Sequence, residues 1–143
     1  MNNILADFYE RDIRKLIEEV RLFKNEENLW KKEGHVPNSC GNLALHIIGN
    51  LNHFIGATLA ATGYVRDRDS EFTKRDVPRQ YLVAGLEELI PIVRKAIATA
   101  DLDAEYPLVY DGAKRSTGYM LAQLLAHLNY HLGQVNYLRR ILE

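Results

Sequence analysis

Five histidines stand in the chain, His35, His46, His53, His127 and His131, and two of them are spaced for metal chemistry. His127 and His131 are four residues apart in Ala126-His127-Leu128-Asn129-Tyr130-His131. On an α-helix that spacing turns by about 40°, so both imidazoles leave one face a turn apart and two ring nitrogens can meet one ion. Zinc proteases use such a pair with a Glu beside the first His; here Leu128 occupies that position and the protease signature is absent. Five histidines give a spacing of four by chance often enough that the pair alone is a weak signal. The competing reading is two hydrogen-bonded imidazoles on a polar helix face. The neighbours favour a pocket instead. Met120, Gln123, His131, Gln134 and Leu138 share the His127 stripe, which borders the apolar side made by Leu121, Leu125, Leu128, Leu132 and Val135.

An earlier segment offers a matching face. His46, Asn50 and His53 stand at i, i+4 and i+7, within about 60° of one another on a helix. His46 sits among Leu43, Leu45 and Ile47, where an imidazole without a partner is costly. If the two segments face each other, His46 joins His127 and His131 around a divalent metal. Three protein ligands leave a position for water or substrate, the pattern of catalytic rather than structural sites. His53, a turn further along, is the competing ligand, and otherwise lines the pocket or supports the ligands. Asn50 and Gln134 are candidates to hydrogen-bond imidazoles and fix their tautomers, with ordinary interhelical contacts as the alternative. His35, beside Pro37, is expected in solvent. Cys40 reads as a small packing residue; a thiol activated by a helix N-terminus is the alternative. Ser116 and Thr117 read as helix caps, and no Ser-His-Asp arrangement or glycine-rich phosphate loop is present. Tyr130 and Tyr137 form an aromatic stripe suited to a subunit interface or to covering the core.

Four periodic segments must position these groups. The first, roughly Asn3 to Asn25, places Leu5, Tyr9, Ile13, Leu16, Val20 and Phe23 three or four apart, with Asn2 or Asn3 as N-cap. The second runs from a Ser39 cap to about Thr62, with Gly63 as its stop; Gly41, Gly49 and Gly56 inside it suggest close helix–helix approach. The charged stretch from Arg66 to Asp76 reads as a solvated connector. The third segment runs from about Pro78 to Ala100, with Asp76 as N-cap and a bend expected at Pro91. After an irregular link, in which Pro107 to Tyr110 suits a short extended piece, the fourth runs from near Thr117 to the end. Four helices of about 20–25 residues, each about 30–37 Å long, have the dimensions of a four-helix bundle. The links are long enough that at least one is expected to cross over. The fold class is therefore all-α, one domain over residues 1–143.

Composition removes other classes. The 143 residues carry 18 Lys plus Arg against 19 Asp plus Glu, a net charge of -1, so no basic excess points to nucleic acid or an anionic membrane. One cysteine excludes an internal disulfide and a multi-cysteine metal site. No apolar run approaches about 18 residues, which argues against a transmembrane span, and the N-terminal Met1-Asn2-Asn3-Ile4 lacks a signal-peptide pattern. The expectation is a cytoplasmic protein acting on a small molecule.

Asn38-Ser39-Cys40-Gly41-Asn42-Leu43-Ala44-Leu45-His46-Ile47-Ile48-Gly49-Asn50, followed about 80 residues later by Ala126-His127-Leu128-Asn129-Tyr130-His131-Leu132-Gly133-Gln134-Val135, resembles the DinB/YfiT-like superfamily of four-helix-bundle metalloenzymes. The resemblance implies a three-histidine site at His46, His127 and His131, and it favours His46 over His53. It implies a divalent metal, zinc or nickel above all, and a homodimer. Characterised relatives include thiol-dependent S-transferases and an isomerase that uses a low-molecular-weight thiol. The expected function is thus a metal-dependent thiol S-transferase, with metal-assisted hydrolysis as a variant. A non-catalytic helical interaction protein of a stress response is the reading from a different class.

Overall fold

The apolar positions fall at helical spacing along most of the chain, and the backbone follows them. The computed structural model describes residues 1–143 and contains five helices, α1 (Asn2–Leu22), α2 (Cys40–Ala60), α3 (Arg68–Thr73), α4 (Arg79–Ala98) and α5 (Thr117–Leu142). A 3-10 turn, Glu26–Trp30, lies between α1 and α2. Ser39 and Ser116 cap α2 and α5 as their types predict, each hydroxyl accepting the amide N–H three residues on, from Asn42 and Tyr119. Apart from two isolated bridges, Glu105–Ser116 and Tyr110–Ala113, there is no β-structure, so the extended piece reduces to the edge of a turn.

Several local expectations are corrected. Met1, not Asn2 or Asn3, precedes the first helical residue; the Asn2 amide instead donates to the carbonyls of Ile97 and Ala100 at the end of α4, 2.7 and 2.9 Å away. Asp76 does not cap α4. It lies at φ +57°, and Pro78 immediately precedes the helix without a side-chain cap. Pro91, by contrast, lies inside α4 as expected, and the helix continues past it to Ala98. Ala61, at φ +51°, ends α2 two residues before Gly63. Within α2, Asn52–Ala57 is a π-helical stretch. Gly41 admits the Trp30 ring rather than another long helix.

The four long helices share one core. Tyr9, Ile13, Leu16, Val20, Ile47, Leu51, Leu86, Leu89, Leu128 and Val135 are all fully buried within it. α1 lies antiparallel to α4, and Arg79 at the far end donates to the Phe23 carbonyl at 2.6 Å. α1 runs parallel to α5, with Tyr9 Oη donating to the Leu121 carbonyl near one end and Arg139 meeting Glu19 at 2.6 Å toward the other. α2 runs antiparallel to α5, so Cys40 faces Val135 and His46 faces His127. Consequently α1 and α2 are diagonal, and so are α4 and α5. α2 and α4 are parallel neighbours, with Ile48 against Gly85 and Ile92 against Gly56. Their connection must return along the bundle, and this is the expected crossover. α2 is apolar and long enough to cross a membrane by composition alone. Its Leu43, Ala44, Ile47, Leu51 and Ile55 are used up in the bundle core.

The crossover overturns one reading outright. The Arg66–Asp76 stretch is not merely solvated connector: it contains α3, and its Glu71 is only 5% exposed. Asp67 caps α3 by accepting the Ser70 amide N–H. Asn42, buried on α2, donates through Nδ2 to the carbonyls of Glu71 and Lys74, each at 2.9 Å, and so anchors α3 against the bundle.

Candidate metal centre

α2 supplies His46 from a buried face, and α5 supplies His127 and His131 from successive turns. The antiparallel packing brings their ring edges together. His46 Nε2 lies 3.1 Å from His127 Nε2, and His127 Nε2 lies 3.1 Å from His131 Nε2. One nitrogen from each of the three rings falls within 4.8 Å of the others. The rings meet edge to face, at 79° to 89°, so the nitrogens rather than the ring faces converge.

The outer nitrogens decide what the inner ones can do. His46 Nδ1 is 3.0 Å from Glu71 Oε1 and 3.4 Å from Arg66 Nη2; the carboxylate contact is the shorter, and Arg66 Nη2 already donates to Glu71 Oε1 at 2.9 Å, so His46 Nδ1 carries the proton and Glu71 accepts it. His131 Nδ1 is 2.7 Å from the Gln134 side-chain oxygen and donates in the same way. Both rings therefore present an Nε2 lone pair inward in their neutral form. His127 has no such partner: its Nδ1 is buried without a hydrogen bond. Burial above all, then the neighbouring His131 and His46, hold the His127 pKa down to about 4. Burial also lowers His46, against the opposing pull of Glu71, and lowers His131. Three neutral imidazoles are the protonation state a cation requires.

The donor set fits a small divalent ion. Nitrogens bound at about 2.0–2.1 Å in tetrahedral geometry stand about 3.3 Å apart, close to both observed separations. Hydrogen bonding alone leaves the cluster short of protons, because a single Nε2–H on His127 would have to serve two lone pairs. His46, His127 and His131 would hold the ion, with Glu71 and Gln134 behind two of them.

The remaining sequence candidates sit elsewhere. His53 is not among the converging nitrogens and packs edge-on against Phe54. It stands seven residues beyond His46, so the helical rise carries it about 10 Å along the axis and out of reach of an ion held by His46. Asn50 is buried, and its Oδ1 has no hydrogen-bond partner. Gln134 meets His131 as described. His35 is exposed, and Cys40 is fully buried with its thiol pushed up to about 12, chiefly by burial. Tyr130 and Tyr137 are 64% and 68% exposed and so do not cover the core.

Two groups escaped the sequence reading. Glu71 touches His46, and Arg66 grips Glu71 with a two-pronged contact, Nε to Oε2 and Nη2 to Oε1, both 2.9 Å. Phe72 packs on the His46 ring at 4.9 Å between centroids. The usable signals were Phe72, the lone aromatic in a charged run, and Asp67, a cap with no helix assigned to follow it.

The fold and these side chains define an all-helical bundle with a buried-edge cluster of three histidines. The chain belongs to the family described as protein of unknown function (DUF1572), whose model matches residues 4–143. No curated protein matches it.

Proposed function

We propose that the chain is a divalent-metal-dependent enzyme of the DinB/YfiT-like kind that transfers a thiol sulfur to a small-molecule electrophile. The observation that supports it is the convergence of three Nε2 atoms, two of them with their protons fixed on the far side of the ring. Zinc or nickel suits a set of neutral imidazoles. Such an ion, when bound, favours the thiolate form of a coordinating thiol and so supplies a nucleophile near neutral pH.

The protein's own groups then bind and orient. The three histidines supply three ligands and leave further positions for a small molecule. The carboxylate nearest the cluster, Glu71, is committed to His46 and Arg66 and offers no free base to accept a proton from water. That favours a low-molecular-weight thiol cosubstrate over hydrolysis, because a thiol loses its proton on coordination. His131 and Gln134 also border a cavity of about 420 Å³ walled by Val36, Leu43, Tyr130 and Leu138, within the range of small-molecule sites. A homodimer in the cytoplasm completes the reading.

Elemental analysis of untagged protein tests it, together with a screen of thiol–electrophile conjugation. One equivalent of zinc or nickel per chain and metal-dependent conjugation are expected; metal-free protein that takes up neither ion overturns the proposal. A second reading, a non-catalytic interaction protein of a stress response, draws on the exposed Tyr130, Tyr137 and Ile141. It predicts a partner at that face and no stoichiometric metal.

A further inference from the structure

The contact between Glu71 and His46 depends on a third residue that has no side chain of its own. Gly49 lies on α2 three residues beyond His46, in ordinary helical conformation, where its backbone has no need of glycine. A Cβ built there overlaps the Glu71 carboxylate, 2.5 Å from its Cδ and 3.3 Å from its Cγ. The three atoms nearest that position all belong to Glu71. The missing side chain is therefore a berth for that carboxylate. Arg66 and the Asn42 anchors hold α3 so that Glu71 enters the berth from the crossover.

We infer that Glu71 is a positioning residue for the three-histidine centre, seated by Gly49 and Arg66, and that it selects the His46 tautomer whose Nε2 lone pair faces His127 and His131. The inference rests on the metal reading for its consequence but not for its geometry. Partners behind a ligating imidazole fix its tautomer and orientation, and their loss typically weakens metal binding about 10- to 100-fold. The crossover thus becomes the third wall of the centre, although it carries none of the three histidines.

The physical consequence is a non-additive pair. An added methyl at Gly49 meets the far end of a flexible side chain, so Glu71 is displaced rather than the helix. Gly49→Ala is then a remote deletion of the same hydrogen bond that Glu71→Gln weakens. The double variant loses no more than the worse single variant, because the contact can be removed only once.

Two readouts on full-length protein test this. Imidazole nitrogen shifts from NMR on metal-free protein, at a pH where the rings are neutral, report which His46 nitrogen carries hydrogen. Zn²⁺ affinity comes from competition with a chromophoric chelator. The expected result is His46 with hydrogen on Nδ1 in the parent chain and a mixture of tautomers in Gly49→Ala and in Glu71→Gln. Zn²⁺ affinity should fall about 10- to 100-fold in each, and no further in the double variant. Should the parent bind no Zn²⁺, the metal reading fails while the tautomer shifts still decide the role of Glu71. A parent His46 with hydrogen on Nε2, variants with unchanged shifts, or multiplying losses in the double variant would overturn the inference. If Gly49→Ala does not fold, Glu71→Gln alone decides through the same shifts.

Discussion

Two buried carboxylates, Glu19 and Glu71, each meet one arginine and one neutral side chain. Glu19 on α1 accepts from Arg139 at 2.6 Å and from the Asn136 amide at 2.7 Å. Glu71 on α3 accepts from Arg66 twice at 2.9 Å and from His46 at 3.0 Å. Both are almost fully buried. The difference lies in the neutral partner. Asn136 ends its network, whereas His46 carries the connection through its ring to a second nitrogen that faces two more. The Glu19 network holds α1 to α5 and is complete. The Glu71 network ends on two Nε2 lone pairs, on His46 and His131, with at most one protein donor, the His127 Nε2–H, between them, which leaves a place for a partner from outside the chain.

The comparison breaks most sharply at the histidines. His127→Ala or His131→Ala should reduce bound metal from one equivalent to background, read by elemental analysis, while the fold persists by circular dichroism. Glu19→Ala should do the reverse. Removing Glu19 takes away charge-assisted hydrogen bonds from the partly buried Arg139 and from Asn136 and should cost about 1.5–3 kcal/mol in urea denaturation, with metal content unchanged. If Glu19→Ala abolishes metal binding, or His127→Ala leaves it intact, the two networks are not distinct in kind.

A smaller effect sharpens the same contrast through pH. The unfolded His127 takes a proton near 6.5, whereas the folded one is held down to about 4. The unfolded state therefore binds more protons between those values, and stability must rise with pH across that window. Metal-free protein should hold its full melting temperature above pH 6.5 and lose it progressively toward pH 4, and His127→Gln should flatten that slope. His46 and His131, both lowered by burial, act in the same direction. Smallest of all is the thiol. With its ionisation suppressed by burial, Cys40 should resist alkylation by iodoacetamide in the native state, and Cys40→Ala should leave conjugation activity unchanged. Rapid labelling would show that α2 opens locally at its start.

The primary structure determined the four long helices, because an apolar residue every three or four positions commits a segment to one buried face whatever it packs against. It also determined the serine caps and the His127–His131 pair, since these depend only on neighbours within a turn. It did not determine Glu71, Arg66 or the purpose of Gly49. A charged run carries no periodicity to reveal that one carboxylate turns inward, and a helical glycine gives no sign of what fills the space above it. His53 shows the same limit from the other side: helical pitch aligned it with His46, but the rise of seven residues carries it about 10 Å along the axis from the level at which α5 presents His127. Burial of a charge is decided by the partners that arrive from distant parts of the chain, here an arginine, an asparagine and a histidine gathered by the crossover, and only the assembled bundle brings them together.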